Sequence, residues 1–474
     1  MMNSANMLTT IPQQKQPGFL ALICLVASLG GLLFGFDTAV ISGTVSQVEA
    51  LFNLSKLQVG WFTSSALLGC ILGAMVAGTL GDRFGRKPVL LAAALFFFLS
   101  ALGSAIPPTF EFLIAARILG GIGVGAASVL APMLISEFSP ARIRGRLVAL
   151  YQLSIVIGIL FAYGSNWLLL RFADARTAVS FVDSIWQKIL VDEVWRAMFG
   201  TEMIPAALFF FLLLLIPESP RWLIQAGRRE QGLNILARIS GYEPALQQTA
   251  EIETAVHKEP GKLAELLQPG LRRALLVGVA LSFFGQLTGI NVVIYYGPTI
   301  LQETGLQIGS ALQYQVALGA INLVFTVIAL LLIDRLGRRP LLLGGMAAVV
   351  VMLALAGVLF AIPGIPPLLI VIVLAADVAC LALSICAVIW VLTPEIFPNR
   401  IRGRAMSIAT LTNWSTNAIS AYLFPWYVMQ FGMHTGFFTF AAICLLATVL
   451  FWRWVPETRG KSLEEIEQFW QNTA

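Results

Sequence analysis

The stretch GDRFGRKPVLL, residues 81–91, recurs as IDRLGRRPLLL at residues 333–343, 252 positions further on. A second pair keeps nearly the same spacing: ISEFSPARIRGR at 135–146 returns as TPEIFPNRIRGR at 393–404, 258 positions on. PESPRWL, beginning at Pro217, has a weaker partner in PETRGKSLEE, beginning at Pro456. The first two pairs are basic, glycine-bearing loops set between long apolar runs. Such loops returning at near-constant spacing mark a duplicated unit of about half the chain. The fold therefore depends on what lies between them.

What lies between them is apolar. Of the 474 residues, 58% are hydrophobic and only 12% charged, whereas a soluble domain carries roughly 25% charged residues. A bilayer core about 30 Å thick is crossed by about 20 helical residues. Twelve runs of that length are present, roughly 18–43, 57–80, 87–106, 110–137, 143–171, 195–216, 272–301, 309–333, 339–362, 366–394, 403–430 and 434–455. The reading is an all-α membrane protein with twelve transmembrane helices in two pseudo-symmetric six-helix halves. Its predicted parts are a cytoplasmic tail 1–17, a first bundle 18–216, a helical cytoplasmic linker 217–271, a second bundle 272–455 and a tail 456–474. Related halves of this kind are the internal symmetry of rocker-type secondary transporters, whose site lies near the midplane between them.

The formal net charge of +5 would suggest nucleic acid in a soluble protein. Placing the N-terminus inside puts 24 of the 30 Lys and Arg in inner segments, five in outer loops and one, Arg117, within a span. That bias is the topology signal of membrane proteins, so both termini are expected in the cytoplasm and no nucleic-acid partner is needed. The polar first 17 residues are followed by mature chain rather than a cleavage site. The five cysteines lie in apolar segments without CxxC spacing and read as small apolar residues. His257 and His434 are too few and too far apart for a metal site. GxSxG, HExxH and P-loop patterns are lacking; the chain is read as no enzyme, with no cofactor or metal.

Ionisable groups inside a span are costly and usually face a partner or a cavity. GLLFGFDTAVISG, residues 31–43, places Asp37 in such a position. By the spans above, Asp37 and Arg117 both lie about 10 Å below the outer surface at 1.5 Å per residue. Matching depth and opposite sign predict a pair. Burial disfavours the ionised acid and a neighbouring guanidinium favours it, so the pair reads as a proton-coupling switch. Asp377, in VLAADVACLALS, is a second acid within a span. It is read as reaching the water of an outward cavity, with a second titrating group as the alternative. Glu137 and Glu395 lie at inner helix ends beside loops holding Arg83, Arg86, Arg144, Arg335, Arg338 and Arg402. These charges read as a cytoplasmic gate that bridges helices in one state and parts in another.

The motifs GDRFGRK, RILGGIGVG, SEFSPARIRGR, PESPRWL, GQLTGINVVIYYGP, DRLGRRP, PEIFPNRIRGR and PETRGKSLEEIE resemble those of the sugar porter family of the major facilitator superfamily, over roughly residues 18–470. The likeness is greatest to bacterial proton-coupled xylose and hexose symporters. It implies a monomeric, multi-pass protein of the cell membrane that imports a pentose or hexose with a proton. A passive facilitator or an inositol-type polyol symporter is the alternative.

Sugar hydroxyls both donate and accept, as amides do, and sugar C–H faces suit indole rings. The resemblance places Gln152, Gln286, Asn291, Trp390, Asn413 and Trp414 at sugar-contacting positions, with Phe34 as a cavity wall. Gly289 and Gly297-Pro298 are expected to let the seventh span unwind. Two departures stand out: Gly285-Gln286 where many members have paired glutamines, and Cys386-Ala387 where a Gly-Pro break is usual, which should stiffen the tenth span.

Overall fold

A computed structural model describes residues 16–140, 142–176, 185–256, 265–266, 268, 271–397, 401–461 and 463–472. The expected N-tail, with Lys15, lies outside the described residues except at its end, as do His257 and Arg400. Among the described residues the chain is helical and has no strand.

Twelve long helical segments follow one another: α1 Gly18–Gly43, α2 Lys56–Phe84, α3 Arg86–Ala105, α4 Phe110–Phe138, α5 Arg144–Ala175, α6 Val194–Leu215, α7 Leu271–Gln302, α8 Ile308–Leu336, α9 Arg338–Ala361, α10 Pro367–Glu395, α11 Arg402–Phe431 and α12 Met433–Trp454. Eleven of these are long and apolar enough to cross a membrane. The exception is α11, 30 residues long, where Thr410, Thr412, Asn413, Ser415, Thr416 and Asn417 interrupt the apolar run. Its polar stretch faces the interior, with Asn413, Trp414, Thr416 and Asn417 buried. Large apolar side chains such as Leu25, Met75, Phe211, Leu331 and Trp452 stay exposed on the outside of the bundle, as a hydrocarbon solvent allows. Short helices Pro220–Gln225, Arg229–Ser240 and Tyr242–Val256 fill the described part of the linker.

The repeated loops fold alike. Gly85 and Gly337 adopt φ of +103° and +96°, a region glycine enters without strain, and each turns the chain from one helix into the next. The freed N–H groups at the start of α3 and α9 meet a carboxylate from a PES or PET motif. Glu218 accepts from the backbone of Arg86 and Lys87, and Glu457 from that of Arg338 and Arg339. An acid at a helix N-terminus satisfies orphan donors and complements the dipole.

Close backbone contact sets the position of α1. A Cβ on Gly35 would run into the Ile155 carbonyl, and one on Gly158 into the Leu32 carbonyl. Only glycine lets α1 and α5 approach so far.

Candidate sugar and proton sites

One cavity, about 930 Å³ with its open mouth, lies among α1, α5, α7, α8, α10 and α11. All seven residues expected from sequence at the sugar site line it: Phe34, Gln152, Gln286, Asn291, Trp390, Asn413 and Trp414. The sequence reading omitted Thr38, Tyr295, Asn322, Thr326 and Asn417, which also line it. Only their helical spacing relative to the named residues could have indicated them.

The amides form a chain. Gln286 Nε2 donates to Asn413 Oδ1 at 2.6 Å, while Gln286 Oε1 accepts from Asn291 Nδ2. One turn on, Asn417 Nδ2 donates to the Tyr295 hydroxyl at 2.9 Å. Phe34 and Trp414 meet with ring centroids 5.4 Å apart. Trp390 lines the cavity and is 44% exposed. A smaller cavity bounded by Trp390, Thr393, Met406 and Thr410 lies beside it, on the part of α10 and α11 nearer Glu395 and Arg402.

Two helices break beside the site. In α7 the helix stops at Gln286 and restarts at Ile290, with Gly289 at φ +87°. Gly297 and Pro298 sit inside the regular second segment, and Gly297 packs on Gln315. The unwinding thus occurs at Gly289 alone, correcting the expectation for Gly297-Pro298. In α10 the expected stiffening does not occur. The helix breaks at Ser384, φ −109° and ψ −103°, between segments Pro367–Leu383 and Ile385–Glu395. Gly345 of α9 lies against that break, where a Cβ would meet the Ser384 side chain. Close packing takes the place of a Gly-Pro pair.

Asp37 and Arg117 meet as expected. Arg117 Nη1 donates to Asp37 Oδ1 at 2.6 Å and Nη2 to the Asp37 carbonyl at 3.3 Å, and the carboxylate is 1% exposed. The guanidinium also lies over Phe199, 5.3 Å from its centroid. Sequence reasoning missed a third member. Glu202 is buried within side-chain hydrogen-bonding reach of Asp37, and its Oε1 has no partner among the described residues. It lies inside the run 195–216, so the argument that singled out Asp37 could have found it. Asp377 is wholly buried and does not line the cavity. This corrects the reading that it reaches cavity water.

The charged loop face is organised as two matching clusters. Arg86 binds Glu137 through Nε at 3.1 Å and Nη2 at 3.0 Å, and Asp82 at 3.0 Å. Arg338 binds Glu395 at 3.2 and 3.1 Å, and Asp334 at 3.0 Å. Arg83 and Arg335, the expected gate residues, are exposed, and Arg83 stacks on Phe84. Arg144 reaches the Ser139 carbonyl and Arg402 the Phe397 carbonyl. The turns at Gly85 and Gly337 fold back the second arginine of each loop, not the first.

Two acids behind these clusters differ in proton affinity. Burial pushes the Glu218 carboxyl above its ordinary range, outweighing its bonds from the Ser219, Lys87 and Arg86 backbone and the Arg86 charge. Glu457 is less buried. Burial acts to raise it too, but the N–H groups of Arg459, Arg338, Arg339 and Thr458 together hold it below the usual value.

With the cavity and the buried pair in place, comparison with known proteins decides the family. Residues 23–470 match the model of the family described as "Sugar (and other) transporter". This chain belongs to that sugar transporter family. Among curated relatives of this transporter, the D-xylose-proton symporter of Escherichia coli (strain K12) is 40% identical, with 97% of each chain covered. The arabinose-proton symporter of Bacillus subtilis (strain 168) is 38% identical, again over 97% of each. Among solved structures, a partially occluded inward open conformation of the E. coli xylose transporter XylE superimposes with a TM-score of 0.80 and 38% identity. It covers 94% of this chain and 100% of that one. The transporter is thus a multi-pass membrane protein of the sugar porter type, and not an enzyme.

Proposed function

We propose that this chain imports a monosaccharide, a pentose or hexose, together with a proton across the cell membrane, with both termini in the cytoplasm. The reading is supported by relatives named as xylose- and arabinose-proton symporters. The observation that carries it is the geometry of α1. Thr38 and Phe34 line the sugar cavity, and Asp37 between them is ion-paired to Arg117 on another helix.

The mechanism follows from that juxtaposition. A proton on Asp37 cancels the charge that holds Arg117, and α1 is freed to shift against α4. Because the same helix supplies a wall of the sugar cavity, the shift is felt there. Sugar bridging α7, α10 and α11 to α1 and α5 draws the two six-helix halves together. Empty and deprotonated, the pair re-forms and α1 returns. An inward proton gains about 2.3 kcal/mol per 100 mV of membrane potential, enough to drive uptake against a gradient.

On this reading the chain is inward-facing here. The second, smaller cavity beside Trp390 lies on the part of α10 and α11 nearer Glu395 and Arg402, and each arginine grips its own half instead of spanning the gap. The charges at Glu137, Arg144, Glu395 and Arg402 come together across the gap in the opposite state.

The test is sugar-induced alkalinisation of a weakly buffered suspension of cells expressing the chain, using a panel of pentoses, hexoses and polyols. A sugar that enters without proton uptake would make the chain a facilitator. A polyol that alone gives the signal would replace the monosaccharide as substrate.

A further inference from the structure

Asp377 lies on the first segment of α10, Pro367–Leu383, and is 0% exposed. Neither of its carboxyl oxygens has a hydrogen-bond partner among the described residues. No charged group from α7, α8, α9, α12 or its own helix acts on it among the described residues. The titratable groups that sense it are three thiols: Cys380 one turn on, Cys386 beyond the Ser384 break, and Cys444 on α12. Asp37 is buried as deeply but has Arg117.

A carboxylate with no protein cation or donor beside it is among the costliest groups to bury. A carboxylic acid is far less so, and Asp377 can occupy this place only as the neutral acid. Even then its O–H lacks an acceptor, and unmade bonds of that kind call for an explanation. The position of the residue suggests one. Asp377 lies two turns before the Ser384 break. The segment beyond the break carries Cys386 and Trp390 into the sugar cavity. That segment must move when the cavity changes the side on which it opens, and the break, held against Gly345, is where α10 can bend.

We propose that Asp377 is a second proton-binding site. It carries a proton in this conformation and gives it up in the opposite one, where bending at Ser384 admits water, so two protons accompany each sugar. The proton leaves to water as hydronium and returns from it, with no other bond made or broken. The inference rests on the symport reading above but goes beyond it in the count of protons and in using the second half of the chain.

The experiment is the sugar gradient at zero net flux in proteoliposomes, with the membrane potential clamped to zero and an imposed pH difference. At a tenfold proton gradient the wild type should balance a sugar gradient of about 100-fold, and D377N one of about tenfold. A tenfold balance in the wild type overturns the proposal whatever the variant does. A 100-fold balance kept in D377N also overturns it and moves the second proton elsewhere, Glu202 being nearest to the first. No balance point that responds to pH would instead sink the symport reading. If D377N folds but does not transport, infrared spectra of the purified proteins decide. A protonated-carboxyl band present in the wild type and missing from D377N is expected, and its persistence in the variant refutes the assignment.

Discussion

Asp37 and Thr38 are consecutive residues of α1, yet Thr38 lines the central cavity while Asp37 is sealed from it against Arg117. One helix thus presents the proposed proton site on one face and a wall of the proposed sugar site on the next. Asp37→Asn keeps the shape and the acceptor oxygen but cannot take up a proton. Sugar counterflow should persist while accumulation at a tenfold proton gradient falls from about 100-fold to about tenfold, because only the proton on Asp377 is still carried. An accumulation ratio equal to that of the wild type would disprove coupling through Asp37.

Gln286 is the hub of the amide chain, bonded to both Asn413 and Asn291. Gln286→Ala removes two protein hydrogen bonds and leaves two amides that no longer hold their orientation toward a sugar. At about 0.5–1.5 kcal/mol for each bond, transport should show a KM raised roughly tenfold or more, with the thermal midpoint changed little. An unchanged KM would place the substrate elsewhere in the cavity.

The pattern of what sequence could and could not reveal has a physical basis. Charges in apolar runs are conspicuous because lipid-depth protein tolerates so few of them, and this made Asp37 and Arg117 legible, down to their common depth. The repeated loops declared the twofold plan for the same reason, since polar residues cluster where helices end. Choosing between Arg83 and Arg86 was harder. Both lie in one loop, and only the turn at Gly85 decides which folds back on Glu137. The α10 break escaped because it uses neither glycine nor proline in its own chain. It rests on the space that Gly345 leaves on a neighbouring helix, and contacts between distant segments leave no local sign.

Gly85 is a backbone requirement twice over. At φ +103° any side chain is strained, and a Cβ would enter the Glu218 carboxylate that caps α3. Gly85→Ala should lower stability by about 1–3 kcal/mol and loosen Arg86 from Glu137. Gly337→Ala should do the same in the second loop, where the Cβ would meet Glu457. Gly145→Ala is the control, since nothing lies within 4 Å of a Cβ there. Thermal unfolding in detergent measures all three, and equal losses at Gly85 and Gly145 would remove the turn from the explanation.

Glu218 and Glu457 occupy matching places behind α3 and α9, yet their proton affinities shift in opposite directions, and stability should follow. Glu457 is held below its ordinary value of 4.5, so the folded state binds its proton less readily than the unfolded chain does. Its contribution is complete above 4.5 and is lost as pH falls through the folded value. Glu218 is raised above 4.5 by burial. Its folded state holds the proton more firmly, so its contribution is complete below 4.5 and is lost as pH rises through the folded value. Thermal midpoints of the wild type, Glu457→Gln and Glu218→Gln between neutrality and about pH 3 should therefore diverge. The gap between wild type and Glu457→Gln should narrow on acidification. For Glu218→Gln the wild type should gain on the variant as pH falls. Parallel trends in the two variants would mean that the more buried first cluster does not set the proton affinity of its acid.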